Sequence, residues 1–93
     1  MDGVTGAKVR GDSMKPVYLD GDTVLIDIKS EKNFKKLLGK EAVLFLDDGS
    51  SVIKIVEQEL DDGRFLLCSH NMGESPRIAK ILRAYKVRGI IRS

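Results

Sequence analysis

The segment EAVLFLDDGSSVIKIVE, residues 41–57, predicts the fold of this chain. It places the turn-forming residues 47–50, Asp-Asp-Gly-Ser, between two apolar and β-branched runs, 41–46 and 51–57, which is the pattern of a β-hairpin. A second turn, Asp61-Asp62-Gly63, leads into the apolar run 65–68, which is too short for a surface helix. The sequence therefore predicts a mainly β fold of antiparallel, meandering strands and hairpins with little helix.

Shorter strand-like runs precede this hairpin. Residues 23–28 are rich in β-branched side chains and follow the turn Asp20-Gly21-Asp22, and residues 7–10 predict a further short strand. We expect residues 1–6, which are rich in Gly, Thr and Asp, to form a flexible lead-in. Residues 33–38 carry apolar side chains at spacings of three and four, which predicts one helical turn that ends at Gly39.

The last part of the chain gives conflicting signals. The dipeptide Ser-Pro at 75–76 is typical of a helix start, and apolar side chains repeat at helical spacing over residues 78–85. Residues 87–91 instead predict a closing strand, in which Gly89 marks a bulge or a close approach of two backbones.

Length and composition fit a single domain over residues 1–93. The apolar fraction of 42% is that of an ordinary soluble protein. With one Cys and one His, the chain forms no internal disulfide and no Cys-His zinc site, and we expect no metal or other cofactor. No apolar run approaches the roughly 20 residues of a membrane span and no signal-peptide pattern opens the chain, so we expect a cytoplasmic protein.

The charge pattern argues against nucleic-acid binding. The formal charge is +2, and acidic and basic residues are intermixed along the chain, so the sequence lacks the basic footprint of a DNA-binding surface. We expect no direct DNA binding by this chain.

The stretch Gly11-Asp12-Ser13-Met14-Lys15-Pro16 is the strongest candidate for chemistry. A serine between a glycine and a proline lies on a sharp bend, where its hydroxyl can project from the backbone. The alternative is that Ser13 only shapes the turn. Asp20 and Asp22 are interpreted as turn residues, since no third ligand lies near them in sequence.

Lys54 lies in the second strand of the predicted hairpin. Side chains alternate along a strand, so Lys54 shares a face with Val52 and Val56 and has Ile53 and Ile55 as neighbours. Burial disfavours the charged ammonium form and can turn a lysine into a base near neutral pH. The alternative is a lysine that extends to water from an edge strand. A bend serine and a buried lysine together form a known variant of the nucleophile and base pair.

These residues resemble the C-terminal peptidase domain shared by LexA-type repressors, many phage repressors and the related SOS mutagenesis proteins. The resemblance covers nearly the whole chain and is carried, in order, by Val9–Pro16, Asp20–Asp22, Val24–Ile26, Val52–Lys54, Leu66–Asn71 and Val87–Ile91.

The resemblance implies a mostly β fold with a self-cleaving serine-lysine dyad. Ser13 would be the nucleophile and Lys54 the general base, and the backbone N–H groups of Asp12 and Ser13 would form the oxyanion hole. Met14 would pack under the bend. The resemblance also makes residues 77–79 a strand, which leaves 81–85 as a possible single helical turn.

The same resemblance implies partners. In this family the domain forms homodimers, follows an N-terminal helix-turn-helix domain that binds DNA, and cleaves the linker between the two domains when a RecA filament stimulates it. The scissile bond of the family is Ala-Gly or Cys-Gly, and neither dipeptide occurs in this chain. We therefore expect an active site without its linker substrate, in a repressor fragment or a stand-alone relative.

Two other functions stay open. Type I signal peptidases share the pattern Ser-Met-x-Pro and a catalytic lysine, although they normally carry a membrane anchor. A second alternative is a dimerisation module of a repressor in which catalysis has lapsed. His70 could tempt assignment as a catalytic base, but Lys54 already supplies one, and Cys68 is interpreted as a small buried apolar residue.

Overall fold

The computed structural model describes residues 3–11 and 13–93 of the chain. The described residues form seven strands and one short 3₁₀ helix, in the order β1 (Val4–Lys8), β2 (Thr23–Asp27), the 3₁₀ helix (Phe34–Leu37), β3 (Glu41–Leu46), β4 (Ser51–Glu59), β5 (Phe65–Cys68), β6 (Arg77–Ala79) and β7 (Ile81–Ile91). All pairings between these strands are antiparallel. The predicted mainly β fold is confirmed.

The strands form one sheet in the order β1-β2-β7-β3-β4-β5-β6. Strands β3 to β6 follow the predicted meander, including the hairpin of β3 and β4. A simple meander is nevertheless wrong for the whole chain, because β7 returns across the sheet and inserts between β2 and β3. This strand therefore joins the hairpin that carries Lys54 to the strands that flank the Ser13 bend.

The helical turn predicted at 81–85 is wrong, since these residues begin β7. Strand β3 pairs with Ile81 and then with Arg83, so Leu82 is an extra residue in a β-bulge. Ile81 and Ala84 are both buried, three residues apart. The bulge thus breaks the alternation of the strand and imitates the spacing of a helix.

The bulge predicted near Gly89 is present. Strand β2 pairs Leu25 with Gly89 and Ile26 with Val87, which leaves Arg88 as the extra residue. The predicted helical turn is also confirmed as the 3₁₀ helix, whose N-cap Asn33 accepts a hydrogen bond from the Lys35 N–H at 3.1 Å.

Strand β1 begins at Val4, three residues earlier than predicted, so residues 4–6 belong to the sheet rather than to a lead-in. Gly6 is opposite Leu25. A Cβ at Gly6 would lie 2.9 Å from Thr23 Cγ2, so glycine permits this close approach of β1 and β2. Residues 1 and 2 of the expected lead-in lie outside the described residues.

The core consists of two clusters on opposite faces of β3. Leu44 belongs to the first cluster and its neighbour Val43 to the second, as the alternation of a strand requires. The first cluster also includes Leu37, Ala42, Leu46, Val56, Phe65, Leu67, Ala79, Ile81 and Ala84. The second includes Val9, Met14, Tyr18, Val24 and Ile26, so the bend that carries Ser13 rests directly on the core.

Candidate active site

The Ser13 bend is a loop closed at its base by backbone hydrogen bonds. The Val9 N–H donates to the Asp22 carbonyl at 2.8 Å, and the Gly21 N–H donates to the Val9 carbonyl at 2.9 Å. Gly11 has a φ of +82°, a left-handed conformation that favours glycine, and its N–H donates to Asp20 Oδ1 at 2.8 Å. Asp20 and Asp22 therefore shape the turn, as predicted.

Met14 anchors the bend to the core. Its side chain is 2% exposed, which confirms its predicted position under the bend. Its carbonyl accepts hydrogen bonds from the N–H groups of Val17 at 3.0 Å and Tyr18 at 2.9 Å. Ser13, the preceding residue, is half-buried. Asp12, the other predicted contributor to the oxyanion hole, lies outside the described residues.

Lys54 lies inside β4 and is only 8% exposed. It pairs with the fully buried Ala42 of β3, and it alternates with Val52 and Val56, which pack in or against the first cluster. Its Nζ donates a hydrogen bond of 2.6 Å to Ser69 Oγ. The side chain is therefore held in an apolar setting and does not extend to bulk water.

The segment 69–71 contacts both predicted dyad residues. Ser69 holds Lys54 Nζ through its hydroxyl, and the Asn71 N–H donates to the Ser13 carbonyl at 3.0 Å. Two further turn contacts fix Asn71: the Glu74 N–H donates to its carbonyl at 3.0 Å and the Gly73 N–H to its Oδ1 at 2.9 Å. One short segment thus links the bend to the lysine.

The sequence analysis did not identify Ser69. Strand β4 pairs Ile55 with Cys68 and Val56 with Leu67, but beyond a bulge Gln58 pairs with Leu66. Counting outward from the turn without this bulge would have put residue 70 opposite Lys54. The bulge moves the register by one residue and brings Ser69 there instead.

Ser13 and Lys54 line the same cavity, which has a volume of about 480 Å³. The cavity is bordered by the end of β1, the bend, the β3/β4 hairpin and the segment before β6, through residues Ala7, Lys8, Val9, Arg10, Ser13, Met14, Val43, Phe45, Ser51, Val52, Ile53, Lys54, Glu74 and Arg77. Within the described residues, Lys54 Nζ donates to Ser69 Oγ rather than to Ser13 Oγ. The contact between the two dyad side chains stays a prediction.

The walls of the cavity differ in character. Apolar side chains from the bend, β3 and β4 form one part, and Lys8 and Arg10 add positive charge on the side of β1. Arg77, which also lines the cavity, donates hydrogen bonds to Asp48 and to Ser50 Oγ, the latter at 3.2 Å. Strand β1 stands at one end of the sheet order, pairs with β2 among the described strands, and contributes Ala7 and Lys8 to the lining of the cavity.

His70 lies outside this cavity, in a polar cluster with Glu41 and Tyr18. Its Nε2 is 3.3 Å from Glu41 Oε2, and its ring meets Tyr18 edge-on at 6.2 Å between centroids. Burial, a hydrogen bond with Glu41 and the negative charge of Glu41 raise the pKa of Tyr18 above its usual range. These contacts tie His70, the middle residue of the 69–71 segment, to Glu41 and Tyr18. Cys68 is half-buried rather than buried.

The described part of the chain contains neither a candidate metal-ligand group nor a helix that could span a membrane. In residues 3–11 and 13–93, no group of three or more His, Cys, Asp and Glu side chains is arranged to hold a metal ion. The one described helix, Phe34–Leu37, is far too short to cross a membrane.

The fold and the cavity together describe a small antiparallel β domain in which a bend serine and a buried lysine border one groove. The chain belongs to the Peptidase S24-like family, which it matches over residues 2–91. This is the family of the C-terminal peptidase domains of LexA-type and phage repressors, and the resemblance identified from the sequence is confirmed. No curated protein matches the chain.

Proposed function

We propose that this chain is the serine peptidase domain of a LexA-like or phage-type repressor and that it cleaves a peptide bond with Ser13 and Lys54. The observation that carries the proposal is the shared cavity: Ser13 on the bend and the buried Lys54 of β4 border the same space of about 480 Å³. Membership of a peptidase family supports the reaction class.

In the proposed reaction, Ser13 Oγ attacks the carbonyl carbon of the scissile peptide bond while neutral Lys54 Nζ takes the hydroxyl proton. The carbonyl oxygen becomes an oxyanion, which the backbone N–H groups of Ser13 and Asp12 stabilise. Collapse of this intermediate breaks the C–N bond, and Lys54 returns the proton to the leaving amine. Water then hydrolyses the acyl-serine ester, with Lys54 again accepting a proton.

Ser69 is proposed to orient the base. A lysine side chain has four rotatable bonds, and the 2.6 Å contact with Ser69 Oγ fixes the end of that chain in the free protein. Catalytic hydrogen bonds are often absent or long in a free enzyme and form in the substrate complex. Lys54 Nζ accordingly moves within reach of Ser13 Oγ when the peptide fills the cavity.

The substrate is proposed to be an extended peptide beside β1. A peptide strand can add to an unpaired sheet edge through its backbone, with alternate side chains entering pockets. The apolar lining from Met14, Val43 and Ile53 favours small or apolar side chains near the cut. The linker that joins the domain to its DNA-binding partner supplies such a peptide.

The repressor role brings further partners into the proposal. The chain would form a homodimer, work with an N-terminal helix-turn-helix domain that alone contacts DNA, and respond to a RecA filament. Sedimentation velocity on the 93-residue chain tests dimer formation, and an electrophoretic shift with the chain alone tests the absence of DNA binding. A monomer at high micromolar concentration, or a shifted DNA band, would contradict these parts.

A dimerisation module with lapsed catalysis is the second candidate. The observation in its favour is that Lys54 Nζ donates to Ser69 rather than to Ser13. Cleavage decides between the two candidates, since a lapsed module keeps the fold and the dimer without the reaction.

The experiment is self-cleavage of the full-length parent, linker included, followed by electrophoresis at pH 7 and at alkaline pH. We expect cleavage that accelerates with pH, because the neutral lysine is the base, and that disappears in Ser13→Ala and Lys54→Ala. Ser75→Ala and Lys36→Ala are matched controls, as both residues are exposed and neither lines the cavity. An uncut parent would support the lapsed module.

A further inference from the structure

A carboxylate and a guanidinium join the Ser13 bend to the residues that follow β7. Asp22 closes the bend and is 2% exposed. Its Oδ2 accepts hydrogen bonds from the Leu19 N–H at 2.9 Å and from Arg92 Nη1 at 2.7 Å, and its Oδ1 accepts from the Ser93 N–H at 3.1 Å. Both oxygens of this buried carboxylate are therefore used.

Arg92 makes a second contact with the bend. The same Nη1 donates to the Val17 carbonyl at 2.8 Å, so one nitrogen bridges Val17 and Asp22. Val17 in turn donates its N–H to the Met14 carbonyl, next to Ser13. A continuous chain of hydrogen bonds thus runs from Arg92 through Val17 to the residue that follows Ser13.

Among the described residues, the contacts of Arg92 with the bend involve a different part of the chain from the contact made by the 69–71 segment. The backbone bonds of Val9 close the base of the bend, and the Asn71 N–H holds the Ser13 carbonyl from the side of Lys54. Arg92 and Ser93 hold Val17 and Asp22, and a Cβ built on the adjacent Gly21 would lie 3.6 Å from Ser93 Oγ. The Arg92 side chain itself is 56% exposed, so it adds little apolar packing to the core.

We propose that Arg92, with Asp22 as its anchor, is a positioning residue that holds the bend so that Ser13 faces the cavity. The inference rests on the proposed function, since it assigns Arg92 a role in placing the nucleophile. It requires a specific pattern: loss of Arg92 changes the position of Ser13 and leaves the environment of Lys54 unchanged.

The first test is the pH–rate profile of self-cleavage in the full-length parent at 25 °C. A misplacement of about 1 Å can lower a rate about 100-fold, so we expect Arg92→Ala to cleave about 10- to 100-fold more slowly at every pH. The pH of half-maximal rate should stay unchanged, because no contact of Lys54 is removed. Arg92→Lys should restore most of the rate, since one ammonium can donate to both Val17 and Asp22.

The matched control is Arg88→Ala, which removes an exposed arginine of β7 whose Nε lies 3.3 Å from Asp27 Oδ1. It should cleave at the rate of the unmodified protein. An unchanged rate in Arg92→Ala, a shift in the pH of half-maximal rate, or failure of Arg92→Lys to restore cleavage would each overturn the positioning role.

A second measurement separates this inference from the proposed function. Hydrogen exchange of the 93-residue chain, followed by NMR, reports the Val17 and Tyr18 amides that donate to Met14. In Arg92→Ala these amides should exchange at least about 10-fold faster, while amides of β4 keep their rates. If the parent is not cleaved at all, the proposed function fails, and the amide exchange rates alone test the role of Arg92. Equal exchange rates of the Val17 and Tyr18 amides in Arg92→Ala and Arg88→Ala would refute that role.

Discussion

Replacing Lys54 by Met should stabilise the domain while it abolishes cleavage. Lys54 is 8% exposed, and its described polar contact is the hydrogen bond to Ser69 Oγ. No carboxylate among the described residues forms an ion pair with it. Met has a similar length and volume, needs no polar partner and fits among Val52 and Val56.

The size of the effect follows from two opposing contributions. Exchanging a whole buried ion pair for apolar residues of similar volume is often neutral or raises the free energy of unfolding by about 1–4 kcal/mol, and we expect about 2 kcal/mol for removal of the single buried ammonium of Lys54. Loss of the hydrogen bond at half-buried Ser69 lowers it by about 1 kcal/mol. A net gain of about 1 kcal/mol corresponds to a Tm increase of about 4–8 °C in a domain of this size.

The assay is thermal unfolding of the 93-residue chain at pH 7, followed by circular dichroism or calorimetry. Lys36→Met is the control, because Lys36 is exposed on the 3₁₀ helix and its loss should change the free energy of unfolding by no more than about 0.5 kcal/mol. A Tm for Lys54→Met equal to or below that of the unmodified protein would refute the idea that the fold holds this lysine at a cost to stability.

Three further predictions concern Ser69, Asp22 and Leu44. Ser69→Ala should slow self-cleavage about 10- to 100-fold, because Lys54 loses its orienting contact. Ser69→Thr keeps the hydroxyl and should retain most of the rate. Equal cleavage rates in the two variants would contradict an orienting role for Ser69. Hydrogen bonds from the Leu19 and Ser93 N–H groups hold the pKa of Asp22 below its usual value of about 3.9. The ionised carboxylate therefore stabilises the folded protein fully above about pH 3.9, and this stabilisation is lost as the pH falls through the lower pKa of the folded state. Asp22→Asn should therefore lower Tm at pH 7, with a difference that shrinks in melts below about pH 4; a constant difference would exclude a role for the charge. Leu44→Ala removes a fully buried side chain and should lower the free energy of unfolding by about 2–5 kcal/mol in denaturant titrations. The control Leu82→Ala, at an exposed position, should lower it by about 0.5 kcal/mol. Similar losses in the two variants would contradict the assigned core.

The elements predicted well are those with strong local signals. The Asp-Asp-Gly-Ser turn between two β-branched runs predicts the β3/β4 hairpin. The apolar spacing over residues 33–38 and Gly39, which has a φ of +78°, predict the 3₁₀ helix. Strand β7 was partly missed because its bulge at Leu82 depends on pairing with β3, a contact between residues nearly 40 positions apart. The insertion of β7 between β2 and β3 likewise depends on tertiary packing and has no local sequence signature.

Some residues of the candidate site could likewise be predicted from local sequence, and others could not. Ser13 and Lys54 could be identified because their residue types, the bend and the apolar strand are visible in sequence. Ser69 could not, because the bulge in β4 sets the register that brings it to Lys54. Arg92 could not either, since its contacts with Val17 and Asp22 join segments 70 or more residues apart.

The central claim, that Ser13 and Lys54 cleave a peptide bond in this cavity, is tested most directly by cleavage in trans. The 93-residue chain is incubated at alkaline pH with full-length parent carrying Ser13→Ala, which has a linker but no nucleophile, and the products are identified by mass spectrometry. The account predicts one cut in the linker, made by the unmodified chain and by neither its Ser13→Ala nor its Lys54→Ala variant. A cut that persists in either variant, or an intact substrate with the unmodified chain, would contradict it.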